Sequence, residues 1–143
     1  MRKTHFGLRL YRVLSVAALA AALSLPLAAR ADPVKDLVQT LPETVAALSR
    51  IPGAEGSPLS FVVVRESNAD RLFIVSSNTS AETAEVAQAR ALSARITGLR
   101  SEMDSYGLVA FVDLQTPDGE ETTYELFLES EAPSDHTFQP ASN

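Results

Sequence analysis

Apolar positions along the chain form one long block, four short dense blocks, and two stretches where they recur every three or four residues. The short blocks carry the clearest signal. Residues 59–66 (LSFVVVRE) and 71–77 (RLFIVSS) are rich in β-branched and aromatic side chains, with turn chemistry at Ser67-Asn68-Ala69-Asp70 between them, so the pair predicts a β-hairpin. Residues 106–114 (YGLVAFVDL) and 120–129 (EETTYELFLE) predict a second hairpin around Thr116-Pro117-Asp118-Gly119, where the proline and glycine suit a type I turn closing into a bulge. In the first hairpin both faces are apolar, with Phe61 and Val63 opposing Val62 and Val64. Strands of that kind need cover on both sides.

The remaining apolar positions read as helix. Asp32-Pro33 is an N-cap followed by proline at the first helical position, with Leu37, Val38 and Leu41 as the apolar side. Thr40-Leu41-Pro42-Glu43 has the form of a fresh capping box and predicts a second helical piece, to about Arg50, before a Gly- and Pro-rich loop over residues 51–58. Thr79-Ser80-Ala81-Glu82 is another capping box and opens the longest predicted helix, to about Met103. Leu92, Ile96, Leu99 and Met103 follow four-, three- and four-residue steps, the spacing of one helix face, and the alanines before them favour helix. Gly98 in this stretch marks a close approach to another element. The expected fold class is therefore α+β, in αββαββ order, with a four-stranded antiparallel sheet and helices packed on one face. The domain is expected over residues 32–129, followed by a disordered polar tail over 130–143.

The long apolar block changes the picture of where the protein works. Arg2, Lys3, Arg9 and Arg12 precede an apolar run over residues 13–25, Pro26 ends it, and Ala29-Arg30-Ala31 presents small residues at the two positions read by a signal peptidase. This is the order of a cleavable Sec-type signal peptide over residues 1–31, with cleavage after Ala31 and a periplasmic or secreted product. The run is too short for a spanning helix, which needs roughly 20 apolar residues. Five basic residues leave with the signal while all 18 acids stay, so the net charge falls from −6 to −11. A field of that sign repels phosphate backbones and anionic lipid, so no nucleic acid partner and no membrane association after cleavage are expected. The chain has no cysteine, so stability rests on the core without disulfides.

Catalytic vocabulary is sparse. His5 leaves with the signal, His136 falls in the expected tail, and Lys35 is the sole lysine after residue 31. No catalytic residue, metal site or cofactor is predicted. Asp113, Asp118, Glu120 and Glu121 gather near the second hairpin turn but lack the fixed spacing of a calcium loop, and read as a solvated tip. On an ideal helix Glu85 and Gln88 fall within about 40° of the Leu92 stripe. Glu85 is thus a candidate buried acid whose pKa would be raised unless it is paired. The two-sided apolar strands point instead to binding, with Phe61, Val63, Phe73, Val75, Phe111 and Phe127 as candidate contributors to one exposed sheet face. The expected function is a non-enzymatic periplasmic binding or accessory module, using that face for a protein partner or a homodimer. The alternatives are a carboxylate-dependent envelope hydrolase and an inhibitor-type or chaperone-like partner of a larger envelope protein.

Mass spectrometry of the exported protein is expected to find a chain beginning at Asp32. An exported species that retains Met1 would contradict the cleavage.

Overall fold

The structure, a computed structural model, describes residues 32–78 and 82–142. In chain order its elements are α1 (Pro33–Thr40), β1 (Ala47–Pro52), β2 (Leu59–Arg65), β3 (Asp70–Ser76), β4 (Thr83–Glu85), α2 (Ala87–Ala91), β5 (Arg95–Met103), β6 (Leu108–Gln115), β7 (Glu121–Leu128) and β8 (His136–Pro140). The strands form two four-stranded antiparallel meanders, sheet A in the order β1-β2-β3-β4 and sheet B in the order β5-β6-β7-β8. The inward side chains of both sheets share one core. Phe61, Val63, Leu72 and Ile74 from sheet A meet Ala110, Val112, Leu114, Leu126 and Leu128 from sheet B. This is a β-sandwich, and the expected αββαββ fold with a single sheet is overturned.

Both predicted hairpins form. β2 pairs with β3 so that Val62 lies opposite Phe73, and β6 pairs with β7 so that Val112 lies opposite Tyr124. At the second turn Gly119 takes φ +92°, and its amide donates to the Thr116 carbonyl at 2.9 Å. The first helix also starts where predicted, with the Asp32 carboxylate accepting from the Val34 amide at 3.1 Å. An eight-residue helix has little stability alone. Leu37 holds it in place by packing on Val62, Val64, Phe73 and Val75, the outer face of sheet A. The two-sided strands are thereby covered by a second sheet on one side and a helix on the other.

The long helix expected up to Met103 is a short strand, a five-residue helix and a nine-residue strand. Its proposed cap, residues 79–81, lies outside the described residues, as does the proposed signal peptide. α2 stops because Ser93 adopts a left-handed φ of 50°. The misleading spacing comes from β5 itself. A bulge between Ile96 and Gly98 shifts the alternation, so the inward positions become Ile96, Leu99, Ser101 and Met103, opposite Leu114, Val112, Ala110 and Leu108. A three-residue step across the bulge followed by two strand steps imitates a helical stripe.

Two further expectations are corrected. The second helical piece is a turn that runs into β1, whose residues add to the free edge of β2, and Thr40 donates its hydroxyl to the Leu37 carbonyl instead of capping a new helix. The tail from Ser130 supplies β8, which pairs with β7 and inserts Phe138 into the core, stacked on Tyr124 at a centroid distance of 4.8 Å. A polar tail is ordered here by one aromatic anchor and an open strand edge.

Candidate functional site

Among the described residues, the charged side chain with no solvent exposure and the fullest set of donors is Asp70, at the start of β3. Its side chain is wholly buried, yet the carboxylate accepts from every side. Arg65, its cross-strand partner, donates Nε to Oδ1 at 3.1 Å and Nη2 to Oδ2 at 2.8 Å. Arg95 donates to Oδ1 at 2.9 Å, and the Ile96 amide donates to Oδ2 at 2.9 Å. A carboxylate offers about four acceptor positions, and all are filled. Arg95 also donates to the Glu66 carbonyl at 2.8 Å, and the Asp70 amide donates to the Ala94 carbonyl at 3.0 Å. The β2–β3 hairpin of sheet A is thus bolted to the first residues of sheet B. Burial alone would push the Asp70 carboxyl up, but the hydrogen bonds from Arg65, Ile96 and Arg95 outweigh it and hold the group below its ordinary range.

The six aromatic and aliphatic residues expected on one face are distributed over three layers. Phe61 and Val63 point between the sheets, and Phe73 and Val75 lie beneath α1. Only Phe111 and Phe127 reach the outer face of sheet B, because β6 alternates strictly and buries Leu108, Ala110, Val112 and Leu114 inward. The register fixes the neighbours of these two rings. Glu102, Val109, Phe127 and Thr137 form one row across the four strands, and Arg100, Phe111, Glu125 and Gln139 form the next. The Arg100 guanidinium lies 4.9 Å from the Phe111 ring centroid and donates to Asp113 at 3.2 Å. Gly98 permits this arrangement, since a Cβ there would stand 2.6 Å from the Asp113 carboxylate. The sequence reading that Gly98 marks a close approach thus has its partner in Asp113. At the end of the same sheet Tyr106 is 79% exposed and Met103 54% exposed. In the sequence the alternation of residues 108–115 places Val109 beside Phe111 and that of residues 121–128 places Glu125 beside Phe127, whereas Arg100 and Glu102 fall in the stretch expected as helix.

Glu85 lies on β4 and is partly exposed, with Arg71 donating to both its oxygens at 2.8 and 2.7 Å. Those hydrogen bonds hold its carboxyl below the ordinary range, opposite in direction to the raised acid expected on a helix. Of the acids near the second turn, Asp113 also accepts from the Thr123 hydroxyl at 2.6 Å, and the Thr116 hydroxyl bonds Asp118 and depresses its pKa. His136 donates Nδ1–H to the Pro133 carbonyl at 2.8 Å. Two open grooves accompany these features. One, of about 240 Å³, runs between the edges of β1 and β5 over Val63 and Ile96. The other, of about 370 Å³, lies between α1 and β3–β4, with Asp36 and Glu85 in its lining.

Replacing Asp70 tests the bolt. Asp70→Asn keeps the shape but removes the charge, and is expected to cost about 3 kcal/mol at neutral pH, read from urea unfolding. Because the folded pKa is depressed, the wild-type advantage is full above the ordinary Asp range. It shrinks as pH falls below that range and through the folded value. Equal stability of the two proteins at pH 7 would remove Asp70 from the account.

No protein-family model matches the chain, and comparisons with curated proteins and with solved structures give no significant match.

Proposed function

We propose that the protein is an exported binding module that acts without catalysing a reaction, and that it presents the outer face of sheet B to a partner protein. The observation that carries this reading is an asymmetry of cover. Sheet A is roofed by α1, and both helices pack on β3. Among the described elements no helix packs on the outer face of sheet B, where Val109, Phe111 and Phe127 gather half-buried. A contiguous apolar patch with a polar surround is the usual form of an interaction surface. The signal-like N-terminus supports placing that interaction outside the cytoplasm.

One observation favours a hydrolase as a second reading, namely that Asp36 and Glu85 line the same groove. Glycoside hydrolysis needs one carboxyl held protonated as the acid, with its pKa raised. Arg71 holds Glu85 in the ionised form, so Glu85 is unsuited to that role. The binding reading is therefore preferred.

A photo-crosslinking phenylalanine analogue distinguishes a used face from an idle one. Incorporated in place of Phe127 in the exporting host, it is expected to give a discrete higher-mass adduct. The same group in place of Leu48, which is exposed on the outer side of sheet A, is expected to give none. Absence of an adduct from position 127, or an identical pattern from both positions, would contradict the assignment.

A further inference from the structure

We propose that the occupant of the outer face of sheet B is a cationic amphipathic segment of another protein, with apolar side chains along one side and lysine or arginine beside them. The proposal deepens the binding reading above and rests on it.

The charge pattern around the patch carries the argument. Glu102 flanks Val109 on one side, Glu125 sits opposite Phe111, and Glu129 follows Phe127 by two positions along the chain. Glu102 and Glu129 are exposed, and among the described residues none of the three acids has an ion-pair partner. The cation in these rows, Arg100, pairs with Asp113 and lies over the Phe111 ring. Adjacent strands are about 4.8 Å apart and alternate residues about 7 Å, so these carboxylates lie within roughly one Debye length of the apolar patch at physiological salt. An incoming segment that buries its apolar side on Val109, Phe111 and Phe127 therefore brings its flanking positions against carboxylates. Cations there gain, and anions are rejected.

The same pattern decides between occupants. A second copy docked through this face would bring three further carboxylates, and among the described residues its rows offer one cation, Arg100, which already pairs with Asp113. A net charge of −11 after residue 31 opposes self-association further. Anionic lipid meets the same repulsion. A cationic, partly apolar polypeptide is the chemistry that satisfies both the patch and its surround.

Three labelled nine-residue peptides test this on the chain beginning at Asp32: alternating leucine and lysine, alternating leucine and glutamate, and alternating serine and lysine. Fluorescence anisotropy is expected to give the leucine–lysine peptide at least about tenfold tighter binding than either control, weakening as salt rises. Amide shifts should concentrate on the residues of the two rows containing Phe111 and Phe127. The double variant Glu102→Gln/Glu125→Gln, and separately Phe127→Ser, are each expected to weaken binding at least about fivefold, with circular dichroism reporting that the fold is kept. Binding that is unchanged in the glutamine variant, or shifts mapping to acids elsewhere, would show mere attraction to an acidic protein and overturn the proposal. Adducts from position 127 in the host, combined with equal binding of the lysine and glutamate peptides, would sink the cationic occupant while leaving the face itself in place.

Discussion

A carboxylate with no solvent exposure is tolerated only when donors replace the water it has lost, and Asp70 meets that condition with Arg65, Arg95 and the Ile96 amide. The consequence extends beyond one residue. The donors come from both sheets, so the bond set fixes where the first strand of sheet B begins relative to the β2–β3 hairpin. Apolar packing between two sheets is non-directional and tolerates sliding. A filled carboxylate does not, because a shift of one residue would leave a buried charge without its partners. In a chain with no cysteine, this polar bolt supplies the registration that a disulfide between sheets could otherwise provide.

Registration of the sheets in turn determines which surface is left over. The first hairpin is apolar on both sides, so it occupies the middle layer, between α1 and sheet B. Sheet B is outermost, and its strands alternate as that position requires, with Leu126 and Leu128 inward and Phe127 outward. The proposed interaction face is thus what remains after the core is satisfied. It is exceptional only in setting Val109, Phe111 and Phe127 side by side on adjacent strands.

Elements governed by local chemistry were legible in the sequence, and those governed by distant partners were not. The two hairpins and the first helix announce themselves through alternation, turn residues and the Asp32-Pro33 start. β1 and β8 carry weak patterns and exist because β2 and β7 offer open edges to them. β5 was disguised by its bulge, which converts a period of two into a helix-like step. The same limit applied to sites. Alternation separates the two faces of a strand, but not which face is roofed by a helix, so Phe73 and Phe127 looked equivalent. Asp70 resembled an ordinary turn residue, because its second arginine lies 25 positions away. Glu85 is expected on a helix that does not form; on β4 it meets Arg71 from the neighbouring strand and takes the opposite pKa direction.

Native-state hydrogen exchange at the Ile96 amide tests the central claim most directly, since that proton is donated to the buried Asp70 carboxylate. If the bolt holds the sheets together, Ile96 exchanges only with global unfolding, at the same opening free energy as the amides of Val62 and Leu126 in the strand centres. An Ile96 amide that exchanges orders of magnitude faster, while Val62 and Leu126 remain protected, would show that the sheets stay paired without it.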